Sequence, residues 1–386
     1  MRGHVRQRGR NWAIVIDQRD PHTGQRKRRW YSFKGTKRLA EVRCAELVAA
    51  AQQGSAIEPS RLTTAAFLAR FDRDWATTHL SAQSRRRYGF ALHHVEQHLG
   101  AKPLQKVCAA DVAMLYAALA RDGMAPRTIR LVHSVLRRAL GQARVWGIIA
   151  TNPAELAKPP KVADRETAIL QPDQAALLLE RLRGKPLYLI AALALGTGLR
   201  RNEMLALRWP KVDLGAGRLT VDESLEQIFT HGIRIKGPKT KHGRRTISLP
   251  THLVTELREH WREQQEQRLA AGLGKAPADA PVFAAIDGRY LSPNAITKAW
   301  AAAMTAIGMP AVTLHSLRHL HASMLIAAGV DILTISRRLG HASPTITLGT
   351  YGHLVHGGDD RAATILDAAF GKGSKMVADS AKNLGT

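Results

Sequence analysis

Hydrophobic positions change their period along this chain, and each change marks an element. Trp12-Ala-Ile-Val-Ile16 is a compact β-prone run and predicts a strand. Asp20-Pro-His-Thr-Gly24 has turn chemistry, and Arg28-Arg-Trp-Tyr-Ser-Phe33 predicts a second strand. A helix is expected from about Leu39 to Gln53, stopping at Gly54. Thr63–His79 then carries the amphipathic period of a helix. Ser81 or Ser84 can cap the next one, which ends at Gly100. Asp111 sits near the start of another, ending near Gly123, and Pro126 suits the first turn of a fourth that runs towards Trp146. Asn152-Pro153 and Pro159-Pro160 break the pattern and predict a linker.

Beyond it, Pro172 to Leu182 predicts a helix, followed by an apolar helix through Leu187–Leu195. Strand-like segments fall at Arg218–Val221, Ile233–Ile235 and Thr246–Leu249, and helices resume from about Leu253. The fold class expected is therefore multidomain α+β. A small N-terminal hairpin with a helix occupies 1–57, and a helical module 62–157. A mainly helical unit with a small antiparallel sheet occupies 165–370, and 371–386 reads as a flexible tail. The chain contains neither an internal repeat nor a low-complexity tract.

Charge sharpens this picture. The 386 residues include 57 Lys+Arg against 31 Asp+Glu, a formal +26. Such an excess repels itself unless it meets a polyanion, with nucleic acid the leading partner and an anionic membrane the second. Between Arg2 and Arg43 there are 13 Lys/Arg and three acids, on a hairpin interleaved with Trp12, Trp30, Tyr31 and Phe33. A β-ribbon of this kind can enter a DNA groove. The helical module adds Arg85, Arg86, Arg87, Arg127, Arg130, Arg137 and Arg138. The basic start lacks the apolar run of a secretory signal, and the longest apolar stretch, Leu189 to Leu195, is too short to span a bilayer. No strongly apolar amphipathic helix supports membrane-surface binding. The two cysteines, Cys44 and Cys108, fit neither a disulfide framework nor a zinc site, which points to a reducing cytosol.

Candidate chemistry lies in four segments. Gly196-Thr-Gly-Leu-Arg200-Arg-Asn-Glu203 is a bend leading into a helix, with Arg200 on its first turn and Glu203 three residues on. Lys236-Gly-Pro-Lys239-Thr-Lys241-His-Gly-Arg-Arg-Thr246 reads as a basic hairpin tip before the strand at Ile247. His315-Ser-Leu-Arg318-His319 puts two histidines and an arginine on one helical face. Leu339-Gly-His341 precedes Tyr351 by about ten residues. His315 and His319 could hold a metal, but no acid or cysteine lies close in sequence to complete a site. There is no G-x-x-x-x-G-K-[ST], and Gly371-Lys-Gly-Ser-Lys375 lacks that spacing.

Together and in this order, these segments resemble the catalytic domain of the tyrosine recombinases, the phage integrases. The family pattern is T-G-x-R-x-x-E, a Lys on a β-hairpin, H-x-x-R, L-G-H and a Tyr. Thr197-Gly-Leu-Arg200-Arg-Asn-Glu203, Lys239, His315-Ser-Leu-Arg318, Leu339-Gly-His341 and Tyr351 fill every position. Residues 62–157 look like the family's helical core-binding domain. Residues 1–57 look like its three-stranded arm-binding domain, on a weaker motif. The resemblance implies cleavage and rejoining of DNA through a 3′-phosphotyrosyl link, with no cofactor, metal or ATP. It implies Tyr351 as nucleophile, Arg200 and Arg318 on the phosphate, and Lys239 as general acid, with Lys241 the alternative. It implies that His315 assists the tyrosine or holds the phosphate, that His341 donates to the phosphate, and that Glu203 supports them. The partners implied are double-stranded attachment sites, a homotetramer on DNA built from free monomers, and accessory DNA-bending or excision factors. The place implied is the bacterial cytosol. A non-catalytic DNA-binding protein and a type IB topoisomerase-like relaxase are the alternative readings on the same fold.

Overall fold

The structure, a computed structural model, describes residues 2–19, 26–52, 57, 59–163, 170–228, 232–238, 243–352, 363–364, 366–368 and 370. The chain divides into two compact units, residues 1–165 and 166–386. The turn at 20–24, the helix stop at Gly54 and the tail at 371–386 lie outside the described residues. Among the described residues, no helix is long and apolar enough to cross a membrane.

The first unit opens with a three-stranded antiparallel sheet in the order β1 (Arg2–Arg8), β2 (Asn11–Arg19), β3 (Arg26–Phe33). Ile14 and Ile16 of β2, with Val5, Tyr31 and Phe33, pack on Cys44, Leu47 and Val48 of α1 (Lys37–Gln52). The opposite face is basic. Arg6 lies over the exposed Trp30 ring at 5.2 Å, and Arg28 pairs with Asp17 at 3.1 Å. The aromatic residues therefore divide: Tyr31 and Phe33 build core, and Trp30 is presented outward. Both thiols are free, Cys44 buried and Cys108 exposed.

A second core in this unit is helical: α2 (Thr64–Phe71), α3 (Thr77–His79), α4 (Ala82–Leu99), α5 (Ala109–Arg121), α6 (Pro126–Val145) and α7 (Pro153–Leu156). The amphipathic run from Thr63 to His79 is interrupted by a π-helical turn at Asp72–Ala76. Ser81, not Ser84, caps α4, accepting the Ser84 N–H at 3.3 Å. Asp111 accepts the Cys108 N–H at 2.8 Å, and Pro126 opens α6. Asn152-Pro153 is not linker. Asn152 caps α7 through Ala154 N–H at 3.0 Å and donates to Arg137 O at 2.8 Å, and Ala154 and Ala157 are core.

The second unit is built around α9 (Tyr188–Thr197), which follows α8 (Pro172–Leu182). α9 is apolar on every side and buried accordingly. α10 (Arg201–Met204) leads to β4 (Val212–Asp213), β5 (Arg218–Val221), β6 (Ser224–Ile228), β7 (Gly232–Lys236) and β8 (Arg245–Ser248). The expected hairpin between Ile233 and Ile247 does not form. β7 pairs with β6, while β8 pairs with β5 in a separate sheet ordered β4-β5-β8. Buried Leu219, Val221 and Ile247 tie β5 to β8. Glu226 of β6 holds Arg234 and Lys236 of β7 at 2.7 and 2.9 Å. The basic segment after Lys236 thus connects two sheets, with Lys239 and Lys241 outside the described residues. The unit closes with α11 (Thr251–Ala270), α12 (Pro293–Ala306), α13 (Leu314–Ala327), α14 (Ile332–Leu339) and α15 (Pro344–Tyr351).

Candidate active site

Two left-handed glycines aim the site. α9 ends at Gly198 with φ +66°, and a Cβ there would lie 2.6 Å from His321 and 2.8 Å from Leu339. α14 ends at Gly340 with φ +66°, where a Cβ would lie 2.7 Å from the Arg245 guanidinium. Only glycine satisfies both the backbone and the close approach. The carbonyls so presented hold the arginines. Arg318 donates to Gly198 O at 2.6 Å and Leu339 O at 2.7 Å, and Arg200 donates to Gly340 O at 3.3 Å.

Arg200 is the cap of α10, not part of its first turn. Glu203 accepts the Arg200 backbone N–H at 3.0 Å and its Nη1 at 2.8 Å. Glu203 also receives Arg245, whose Nη2 lies 2.8 Å from Oε2. Burial works to raise the Glu203 carboxyl, but Arg245 and Arg200 outweigh it and hold it below the usual range. Glu203 is therefore a buried anion between two arginines.

Arg200, Glu203, His315 and His341 line one cleft of about 840 Å³, with Trp300, Val312 and Ile346 among its apolar walls. Arg318 and Tyr351 are buried, 2% and 3% exposed. Tyr351 packs with Ala322, Ile326, Ile335 and Leu339. His315 and His319 stack edge to face, ring centroids 4.5 Å apart. His319, not His315, reaches the tyrosine: its Nδ1 is 2.6 Å from Tyr351 Oη. His341 Nδ1 lies 2.8 Å from Thr347 Oγ1.

The electrostatics separate arginines from histidines. Burial, then Arg200, lowers Arg318 to about 9, so it keeps its charge at neutral pH. Burial first, then neighbouring cations, also lowers His315, and brings His341 to about 4. Burial, then His315 and Arg318, brings His319 to about 4. Burial raises the Tyr351 phenol, against the pull of Arg318. At neutral pH the cluster thus holds fixed cations, neutral imidazoles and a protonated phenol.

Of the residues expected from sequence, Arg200, Glu203, His315, Arg318, His341 and Tyr351 come together in the second unit, while Lys239 and Lys241 lie outside the described residues. Two further residues join them. His319 was visible only as the second histidine of an i,i+4 pair. Arg245 was one base in a basic run, yet its side chain is 6% exposed and it donates to Arg338 O at 2.7 Å as well as to Glu203.

Residues 168–356 match the Phage integrase family. An integrase of Streptomyces ambofaciens is 29% identical over 348 residues, covering 88% of each chain. The fold is similar to that of the Tn1549 transposon integrase in complex with transposon right end DNA. That likeness has a TM-score of 0.68 at 20% identity, over 79% of this chain and 99% of that one. It is also similar to a lambda integrase tetramer bound to a Holliday junction, with a TM-score of 0.55 at 19% identity over 90% of this chain and 94% of that one. The motifs, the geometry that gathers them and these matches agree: residues 168–356 form a phage integrase domain, that of the tyrosine recombinases, enzymes that break and rejoin DNA strands.

Proposed function

We propose that this chain is a site-specific recombinase of the phage or prophage integrase kind, joining DNA through a covalent 3′-phosphotyrosyl intermediate. The observation that carries the reading is the convergence of Arg200, His315, Arg318, His341 and Tyr351 in one unit, from segments 151 residues apart in numbering. Phosphoryl transfer is chiefly positioning and stabilisation of charge on the non-bridging oxygens. Arg200 and Arg318 bring two permanently charged planar forks to that task, so no metal is needed for charge neutralisation. If the Thr347 hydroxyl donates to His341 Nδ1, the ring proton sits on Nε2, a donor for a phosphate oxygen. His315, exposed at the cleft, is a second such donor.

In this reading Tyr351 attacks phosphorus and the 5′ oxygen leaves, taking a proton from Lys239, with Lys241 the alternative. Like bonds are exchanged, which is why ATP is not required. Glu203 orients Arg200 and does not touch the phosphate. Residues 165–370 form the catalytic domain, 62–157 the core-site reader and 1–57 the arm-site reader, with 371–386 a tail. The likeness to a lambda integrase tetramer bound to a Holliday junction supports assembly of four copies on DNA. The reading adds free monomers, the bacterial cytosol and accessory bending or excision factors.

The test is direct. End-labelled duplex from the DNA flanking the gene is incubated with the protein and run on a denaturing gel. A covalent adduct whose peptide maps to Tyr351 is expected. Absence of any adduct, or its mapping to another residue, overturns the reading.

A further inference from the structure

We infer that His319 is the catalytic base of strand cleavage, its Nδ1 taking the phenolic proton of Tyr351 as Oη attacks phosphorus. The inference deepens the recombinase reading and rests on it. The motif points to His315, since it occupies the H-x-x-R position. The geometry divides the labour differently. His315 lines the cleft, whereas His319 Nδ1 is the group at hydrogen-bond distance from the reacting oxygen, 2.6 Å from Tyr351 Oη. The two histidines are one helical turn apart on α13. The face presents one ring to the phosphate side and the other to the nucleophile.

The phenol needs such a partner. Tyr351 is buried and sits in an apolar cluster, where a free phenolate is disfavoured. Attack therefore has to be coupled to proton removal, and the acceptor must be neutral and in contact. Arg318, the cation that acts on the Tyr351 phenol, cannot accept a proton; its guanidinium can only stabilise the charge that develops. His319 is held neutral by burial and by its neighbours. With the proton on Nε2, Nδ1 offers its lone pair to the hydroxyl. The step balances: the Oη–P bond forms, the P–O5′ bond breaks, the phenolic proton moves to Nδ1, and the leaving oxygen takes a proton from the general acid of the recombinase reading. Religation returns the proton from His319 to Oη.

The groups facing His319 are His315 and Arg318 of its own helix, Tyr351 of α15 and His341 beyond α14. α9, packed on α13, carries one titratable residue, Tyr188, which bonds to Glu256 instead. An acid limb in the cleavage rate, read over the pH range in which the protein stays folded, therefore belongs to His319, His315 or His341.

The discriminating variant is His319→Asn. Its amide oxygen can occupy the place of Nδ1 and accept the hydroxyl, but it is not basic. Single-turnover cleavage is measured on a nicked duplex from the DNA flanking the gene, with either a normal 5′ oxygen or a 5′-bridging sulfur at the scissile phosphate. Sulfur leaves without a proton, so it bypasses a general acid but not a base. Expected for His319→Asn are unchanged DNA affinity and melting temperature, and cleavage slower by roughly 10²–10³-fold. The defect should be equal on both substrates, and the acid limb of the wild-type pH profile should vanish. Rescue by the sulfur substrate would place His319 on the leaving group. A persistent acid limb would assign the base to His315 or His341. Cleavage as fast as wild type, or faster, would make His319 only a holder of Tyr351; each of these overturns the inference. His319→Gln, which reaches the position of Nε2 instead, serves as the second variant if His319→Asn melts lower. Failure of the wild-type protein to form a tyrosyl adduct on either DNA would instead remove the recombinase reading, and this inference with it.

Discussion

Arg245 grips Glu203 from the far side of Arg200. Its Nη2 and Nη1 lie 2.8 and 3.3 Å from the two carboxylate oxygens, and its Nε donates to Arg338 O at 2.7 Å. One guanidinium thereby joins the helix that Arg200 caps, the strand that follows the basic segment, and the end of the helix before His341. Neither residue needs to touch DNA for this to matter, because together they set where Arg200 and the Gly340 backbone stand.

Replacing Glu203 by Gln should leave Arg245 a buried, unpaired cation. Breaking such a pair from one side costs about 3–5 kcal/mol. In a unit of this size that lowers the melting transition by on the order of 10 °C. Arg245→Lys should cost less, yet still loosen the site, since a point charge cannot reproduce the four directed bonds that Arg245 makes to Glu203, Arg338 O and Gly243 O. Calorimetry on the full chain checks both, and an unchanged transition for Glu203→Gln would mean the tie is not structural.

Tyr351→Phe removes a single oxygen that lies against His319. DNA affinity should stay within about twofold while adduct formation disappears, because only the proposed nucleophile is lost. Gel-shift and denaturing gels on the same DNA separate the two effects. Residual cleavage by the variant would point to another nucleophile.

Cleavage should also survive excess EDTA, since in the proposed mechanism Arg200 and Arg318 supply the phosphate-binding charge. Loss of adduct in EDTA, with recovery on adding Mg²⁺, would contradict this.

His321 makes the second unit acid-sensitive. Its Nε2 accepts Arg338 Nε at 3.1 Å, which places the proton on Nδ1, 2.7 Å from Leu195 O. Burial holds it at about 4, below the ordinary 6.5. The unfolded chain then binds the extra proton first as pH falls. Stability is full above about pH 6.5 and declines towards pH 4, by on the order of 3 kcal/mol from this group. Denaturation of His321→Gln across that range should show a flatter pH dependence than wild type.

Arg87, Arg127 and Arg130 line one groove of the first unit with Ser84 and Ser134. Arg85, by contrast, is held by Asp72 at 2.6 and 2.9 Å. If the groove follows a DNA backbone, changing its three arginines to Gln should reduce the slope of log affinity against log salt by about 2–3, near 0.9 for each phosphate released. Arg85→Gln should change it less. Equal slopes for the triple variant and wild type would place the DNA elsewhere.

Much of this protein is local, and local features are written in the sequence. Pro172 to Leu182 is helical as its period predicts, and Pro126 begins a helix because its missing N–H costs nothing there. The residues of the candidate site were legible for a different reason. Phosphoryl transfer through a tyrosine demands particular functional groups, so Arg200, His315, Arg318, His341 and Tyr351 declare themselves by type and order. β1 escaped the pattern because its seven residues contain one inward apolar side chain, Val5, too few to show a period.

What the tertiary structure alone decided are the long-range choices. The strand pairing is one: β8 could meet β7 or β5, and burial of Leu219, Val221 and Ile247 in one core selects β5. The division between two histidines is another. His315 and His319 share a helical face, so periodicity treats them alike. Only the packing of α15, which brings Tyr351 back across 32 positions, puts one ring against the phenol and leaves the other in the cleft. Arg245 was hidden for the same reason. In a chain with 57 basic residues, a base becomes structural only when folding removes it from water and leaves a carboxylate as its partner.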